Sequence, residues 1–210
     1  MATRFGRRRR RRTPWLSLTP QATLIALLAV GLVTWQLDTR VRLTVMWLVQ
    51  IVVLFATIGR KPLNLNYRLG DVGRGVLIGA LPGLVGLLIG GFMRNVAGSL
   101  YSGSDTAAVF QQAVIIAAPV EELFFRGFVQ GRWNAWAGAI GYAVLGVLCF
   151  LPTTLAFPLV LLAVVAGWTG LGFLFTYVRW RYGLAAAVAA HACAATLLLV
   201  VPMALRDLGL

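Results

Sequence analysis

Charged residues are scarce in this chain of 210 residues: they make up 12% of it, whereas an ordinary soluble domain has about a quarter. Only six residues are acidic, one is a histidine, and 60% are apolar. So few acidic side chains cannot cover the surface of a soluble domain of this length. The composition therefore excludes a disordered chain and a soluble nucleic-acid-binding domain, and it indicates an integral membrane protein.

Cysteine is equally sparse. Cys149 and Cys193 both lie in apolar segments, and they lack the spacing of metal ligands. We expect both to be buried small hydrophobic side chains. The pair therefore excludes a disulfide-stapled secreted module and indicates no particular redox compartment.

Positive charge is concentrated at the N-terminus. The net charge is +13, and seven of the 19 basic residues, Arg4 and Arg7 to Arg12, lie in the first twelve positions. A basic tract ahead of an apolar run favours a cytoplasmic tail that contacts anionic lipid headgroups. No aromatic interleaving or binding module accompanies it, so we expect no nucleic-acid partner.

Long apolar runs dominate the rest of the chain. A helix needs about 20 apolar residues to cross the bilayer. Pro152 and Pro158 break the uncharged stretch 133–178 into two such runs. No small-residue cleavage site follows the first apolar run of the chain, so we expect this run to remain as a membrane anchor. We predict an all-α bundle of seven membrane helices, near residues 21–37, 43–59, 75–93, 106–131, 135–151, 157–178 and 183–201.

Glycines recur every four residues in the third run, at Gly75, Gly79 and Gly83. Small residues at this spacing let a neighbouring membrane helix approach closely. The pattern therefore predicts a helix-packing face rather than a phosphate-binding loop.

The distribution of basic residues predicts a cytoplasmic N-terminus. With seven crossings, 15 basic residues fall inside and four outside; the outer ones are Arg40, Arg42, Arg94 and Arg206. We divide the chain into a basic tail over residues 1–14, three N-terminal helices over 15–105, and a core of four helices over 106–205. The bacterial plasma membrane is the expected location.

Glu121 and Glu122 are the only glutamates in the chain, and they interrupt the fourth apolar run. Charges at membrane depth cost a few kcal/mol each, so they usually mark a functional site or a paired structural one. Arg126 follows Glu122 by four residues and can form an ion pair with it. Glu121 is rotated by about 100° and has no local partner, which suits a general base. The alternative is a buried polar cluster that fixes helix packing.

His191 is the only histidine, and its position in the last run matches that of the glutamates in depth. It lies about 12 Å from the inner end of its predicted helix, and Glu121 lies about 15 Å from the inner end of the fourth. The matching depths predict a shared site on the cytoplasmic side. The alternative is a histidine that only makes an interhelical hydrogen bond.

The sequence EELFFRG, from Glu121 to Gly127, resembles the EExxxR motif of the CPBP family, the CAAX protease and bacteriocin-processing membrane proteins, also called Abi. The resemblance covers roughly residues 106–205. It implies an intramembrane endopeptidase in which Glu121 activates water, Glu122 and Arg126 support it, and His191 helps to bind the oxyanion. Members of the family are described as glutamate-dependent or as metal-dependent.

The chain departs from the family's two later motifs. One alignment of the second motif places Gly146 where the family has phenylalanine and Phe150 where it has histidine, and Phe150 is then expected nearer the outer side. Counting from Glu121 without gaps instead places Thr154 at the position of the histidine. In the last motif, Ala195 replaces an asparagine or aspartate. One histidine and two glutamates are too few for a tightly held zinc, so we expect no metal cofactor.

Two functions remain open at this point. The first is a membrane endopeptidase that acts on a peptide substrate near the cytoplasmic face. The second is a catalytically inactive relative that serves as a scaffold, as a membrane protein's binding partner, or as a subunit of a membrane complex. A transporter has less support, because the chain shows no inverted repeat and no second membrane helix lined with charges.

Overall fold

The computed structural model describes residues 18–58, 63, 68–101 and 104–209. The basic tail over 1–14, with its Arg7 to Arg12 tract, lies outside the described residues, as do Arg60 and Lys61. The described part of the chain forms eight helices and no strand: α1 (Pro20–Val33), α2 (Thr39–Ile58), α3 (Leu69–Leu88), α4 (Gly90–Leu100), α5 (Thr106–Arg132), α6 (Ala135–Thr154), α7 (Pro158–Tyr182) and α8 (Leu184–Asp207).

Six of these helices are long and apolar enough to cross a membrane, namely α2, α3, α5, α6, α7 and α8. This confirms the expected all-α membrane bundle. Helix α1 has 14 residues, so it spans about 21 Å, less than the roughly 30 Å of a hydrocarbon core. Seven crossings and a cytoplasmic N-terminus therefore stay predictions.

Local sequence signals set several helix boundaries. The side chains of Asp105 and Asn134 accept backbone N–H groups at the starts of α5 and α6, with distances of 2.7 Å each. Gly183 ends α7 with a φ of 97°, a conformation that side chains disfavour, and α8 starts at the next residue. Helix α4 was not predicted, because Arg94, Asn95 and Ser99 interrupt its apolar positions.

Helix α8 lies at the centre of the bundle, where it packs along α3 and also contacts α5 and α7. The close approach to α3 depends on glycine, as predicted. A Cβ on Gly75 would collide with the carbonyl oxygen of Ala186, and one on Gly79 would collide with that of Ala190. Because Ala190 precedes His191, this contact also fixes the position of the histidine.

We expect Gly79→Leu to lower the free energy of unfolding by about 2 kcal/mol or more, because the added side chain must push α3 away from α8. Gly73→Leu is the matched control, since nothing lies within 4 Å of a Cβ at this position of the same helix. Thermal unfolding of the purified protein in detergent compares the two. Equal losses of stability would contradict the packing role of Gly79.

Arg42 is not an outer loop charge, as the sequence analysis placed it, but a buried residue of α2 that is 2% exposed. Its guanidinium donates to the carbonyl oxygens of Thr34, Trp35 and Leu37 at 3.1, 2.8 and 2.8 Å, and to that of Cys149. Three of these carbonyl groups belong to the turn that follows α1, and the fourth belongs to α6. Arg42 therefore ties the α1–α2 turn to α6.

Three π-helical segments widen the two helices that carry the candidate site. They cover Gln111–Ala117 and Glu122–Val129 in α5, and Thr196–Val200 in α8. Pro119 and Pro202 follow the first and third segments by two residues. Proline donates no N–H and clashes with the preceding turn, and a π-helical turn relieves both problems. The second segment starts at Glu122, and such segments occur often at functional sites.

Candidate active site

Glu122 is the centre of a buried ionic cluster between α5 and α8. Its Oε1 lies 3.2 Å from Arg126 Nη1 and 3.0 Å from His191 Nδ1. Glu122 and Arg126 are both 0% exposed. The i,i+4 pair expected from the sequence is thus present, and the histidine joins it from the last helix.

The hydrogen bond to Glu122 constrains the histidine ring. A carboxylate that is paired with arginine accepts, so Nδ1 of His191 carries the proton. Its other ring nitrogen, Nε2, forms no hydrogen bond with any of the described residues and remains available to a further partner. Glu122 therefore orients the imidazole much as a carboxylate orients histidine in hydrolase triads.

Aromatic rings enclose this cluster. The guanidinium carbon of Arg126 lies 4.3 Å from the ring centre of Tyr142 and 5.4 Å from that of Phe175. The imidazole of His191 stacks on Phe175 with a centroid distance of 4.7 Å. Arg126 also donates to the carbonyl oxygen of Gly172 at 2.9 Å. Cation–π contacts and a carbonyl acceptor compensate the arginine for its lost hydration.

Glu121 points in another direction from Glu122 and has a partner that the sequence analysis missed. The indole N–H of Trp47, on α2, donates to Oε1 of Glu121 at 2.9 Å. Glu121 remains partly accessible, whereas Glu122 is fully buried. Trp47 thus fixes one carboxylate oxygen, while the other has no hydrogen-bond partner among the residues that the structure describes.

Glu121 and His191 line the same cavity inside the bundle, which has a volume of about 50 Å³. This volume is sufficient for at least one water molecule. Other polar side chains that line it are those of Trp47, Gln50, Tyr101 and Tyr142. Among them, the side-chain oxygen of Gln50 is buried without a hydrogen-bond partner in the described structure. The cavity therefore combines a carboxylate, an imidazole and unsatisfied hydrogen-bonding capacity.

Both departures from the family motifs lie in the wall of this cavity. Phe150, expected nearer the outer side, lines the cavity together with Ala195. Its ring centre lies 5.0 Å from that of Trp168 and 6.0 Å from that of Tyr101. The indole of Trp168 also covers Gly146 so closely that a Cβ there would collide with it. Aromatic side chains thus occupy the space where the family's second motif has phenylalanine and histidine.

Thr154, the other candidate for the position of the family's histidine, is 0% exposed and is absent from the cavity wall. Its hydroxyl donates to the carbonyl oxygen of Phe150 at 3.0 Å. This bond lies within α6 and leaves the hydroxyl no role at the cavity. Of the two candidate positions, Phe150 lines the cavity and Thr154 does not.

The acidic and imidazole groups do not fit a metal ion. Among the described residues, no cluster of three or more His, Cys, Asp or Glu side chains is placed to hold one. Glu122 Oε1 is already engaged by Arg126 and His191, and Glu121 accepts from Trp47. Tightly held zinc needs at least three protein ligands that converge on one point, whereas these three side chains are directed at different partners.

The site residues that the sequence analysis missed are those of α2, α6 and α7 that surround the charges. Trp47 and Gln50 are three residues apart on α2, so they share a face of the helix. A glutamine in an otherwise apolar span was the one signal that could have drawn attention to this face. The aromatic residues Tyr142 and Phe175 carry no comparable signal, because aromatic side chains are common in apolar helices.

Comparison with known proteins supports the resemblance noted in the sequence. The family model of type II CAAX prenyl endopeptidase Rce1-like proteins matches residues 103–197, a segment that includes Glu121, Glu122, Arg126 and His191. The resemblance to the CPBP family is thereby confirmed for this segment, which is similar to a domain of an intramembrane endopeptidase-like family and lies in a membrane-embedded chain. No curated protein and no solved structure matches the chain.

Proposed function

We propose that this protein is an intramembrane endopeptidase in which Glu121 activates a water molecule held in the cavity. The observation that carries the proposal is that Glu121 and His191 line one cavity, while Glu122 and Arg126 orient the histidine from behind. A buried polar cluster that served packing alone would not require Glu121 to face this space. On the predicted topology, the site opens toward the cytoplasmic side.

The proposed reaction is direct attack of water on the peptide carbonyl carbon. Glu121 takes a proton from the water as the new C–O bond forms, and it passes this proton to the amide nitrogen as the C–N bond breaks. Nε2 of His191, when protonated, donates to the oxyanion, and Glu122 balances the charge of the ring. Glu121 returns to its ionised form, so atoms and charges balance over the cycle.

The proposed reaction requires no metal, because His191 and the glutamates engage one another and Trp47 rather than converging as ligands. Cleavage of a peptide library by the purified protein in proteoliposomes tests the function, with and without a strong chelator. We expect cleavage in both conditions. Loss of activity with the chelator, restored by added zinc, would contradict the proposed use of water and Glu121 alone.

A catalytically inactive relative is the second candidate function, and Phe150 and Ala195 favour it. They supply apolar wall where the family has hydrogen-bonding groups, and Trp168 packs against Phe150. Such a protein would act as a scaffold or as a subunit of a membrane complex. Complete lack of cleavage, together with a partner that co-purifies at fixed stoichiometry, would support this candidate against the first.

Restoring the family's residues tests how far these departures limit catalysis. We expect the double variant Phe150→His and Ala195→Asn to raise turnover by at least about tenfold, because each residue adds a hydrogen-bonding group to the cavity wall. Phe173→His is the matched control, since Phe173 is 40% exposed and lies on α7 outside the cavity wall. An equal gain in the control, or a fall in the double variant, would contradict this interpretation.

A further inference from the structure

A second cavity lies at one end of the bundle, where α4, the α6–α7 connection and the end of α8 meet. Its volume is about 830 Å³. We call it the basic pocket, because its polar wall includes two arginines beside neutral polar side chains; this wall comprises Arg94, Asn95, Ser99, Thr153 and Arg206. The remaining wall is largely apolar and is formed by Phe92, Ala156, Phe157, Pro158, Leu159 and Val160.

The positive charge of the basic pocket is incompletely balanced. Arg94 is half-buried and has no ion pair or hydrogen bond with any residue that the structure describes. Arg206 pairs with Asp207 at 3.1 Å and donates to the carbonyl oxygen of Ser104 at 3.5 Å, and its guanidinium lies over Gly98. The two guanidinium groups thus have one neighbouring carboxylate, which belongs to Asp207. A half-buried arginine without a counter-charge leaves a position where an anion from outside the chain can bind.

An apolar groove continues from the basic pocket along the membrane-spanning helices. It has a volume of about 660 Å³ and lies between α3, α4, α7 and α8, and its wall extends inward to Tyr142, His191 and Ala195 of the candidate active site. Phe92 lines both cavities, and Val160 of the pocket is one helical turn from Val164 of the groove. Gly167 and Gly170 lie in the groove wall, and nothing is within 4 Å of a Cβ at either position. The groove is therefore open space on the α7 side.

We propose that the basic pocket and the apolar groove together bind one anionic phospholipid. The phosphate lies between Arg94 and Arg206, because guanidinium groups bind phosphate through charge-assisted hydrogen bonds. One acyl chain lies in the groove, where it covers the exposed apolar side chains of the wall. A zwitterionic lipid fits less well, because its own cation opposes the two arginines. A soluble phosphate compound leaves the groove empty.

Native mass spectrometry of the delipidated protein in detergent tests the headgroup part of this proposal. The probes are phosphatidylglycerol and phosphatidylcholine with the same acyl chains. We expect one phosphatidylglycerol per chain, retained roughly fivefold more than phosphatidylcholine, and a roughly fivefold loss in Arg94→Gln. Arg40→Gln is the matched control. Arg40 is the second residue of α2 and lies at the same end of the bundle, where Thr39 contacts Thr153, but it is not part of the pocket wall.

The binding of an acyl chain in the apolar groove is tested with Gly167→Leu, whose side chain fills open space in the groove without backbone strain. We expect it to reduce retention of both lipids, whereas Gly73→Leu, on the open face of α3, leaves both unchanged. Glycerol 3-phosphate, which carries the phosphate without acyl chains, should not be retained. Equal retention of the two lipids, an equal loss in Arg40→Gln, no effect of Gly167→Leu, or retention of glycerol 3-phosphate would each overturn the proposal.

Discussion

Glu121→Gln is expected to reduce peptide hydrolysis by at least about 10²-fold while the protein stays folded. An amide cannot take a proton from water, so the substitution removes the proposed base. The amide oxygen can still accept the indole N–H of Trp47, which lies 2.9 Å from the carboxylate. The loss should therefore appear in kcat with little change in thermal stability. Cleavage in proteoliposomes and thermal unfolding in detergent measure the two quantities.

Two further variants separate the chemistry of Glu121 from its environment. Asp71→Asn makes the same change from carboxylate to amide in α3, where Asp71 pairs with the exposed Arg74, and it should leave turnover unchanged. Trp47→Phe keeps the base but removes the donor that fixes it, so we expect a smaller loss than in Glu121→Gln. Full activity of Glu121→Gln would rule out Glu121 as the base.

Arg126→Met is expected to lower the free energy of unfolding by about 3–5 kcal/mol. The reason is that Glu122 would keep a fully buried carboxylate after losing its cation. Methionine preserves much of the apolar contact with Tyr142 and Phe175, so the loss reports mainly the uncompensated charge. Denaturant titration in detergent, followed by tryptophan fluorescence, measures it.

The double variant Glu122→Gln and Arg126→Met provides the decisive comparison. It removes both charges together, so it should be more stable than Arg126→Met alone. The matched control is Arg74→Met, which breaks an ion pair of α3 whose arginine side chain is 62% exposed. It should change stability by about 0.5 kcal/mol or less. Similar losses in Arg126→Met and Arg74→Met would contradict the burial argument.

These two sets of variants separate the two glutamates. We expect Glu121 to be needed for turnover and to contribute little to folding, whereas Glu122 and Arg126 are needed for folding and act on catalysis through His191. If the cluster were purely structural, substitution of either glutamate would instead lower the free energy of unfolding.

The sequence predicted the parts of the site that depend on charge and on helical period. A glutamate pair in an apolar run is rare enough to be noticed, and the i,i+4 spacing places Arg126 beside Glu122. The positions of His191 and the glutamates along their helices also predicted that they lie at similar depth in the membrane. The sequence could not predict which carboxylate His191 contacts, because the rotation of α8 about its axis depends on its packing against Gly75 and Gly79 of α3.

For the fold too, the sequence predicted the features that depend on local signals and missed those that depend on tertiary contacts. Apolar length and Pro158 predicted the start of α6 and, to within one residue, that of α7, but Pro152 lies inside α6, which ends at Thr154, and α7 continues to Tyr182. Arg42 was misplaced because a basic residue near a helix end was expected to face water. It is buried instead, because its guanidinium donates to carbonyl groups of the turn after α1. Such tertiary pairing leaves no signal in the local sequence.

The most direct test of the account is an experimental structure at a resolution that shows water in the cavity between α2, α5 and α8. We predict an ordered water within hydrogen-bond distance of both the Glu121 carboxylate and His191 Nε2. A cavity filled by side chains, or a Glu121 carboxylate turned toward lipid and away from His191, would contradict the proposal that these two residues act on one molecule.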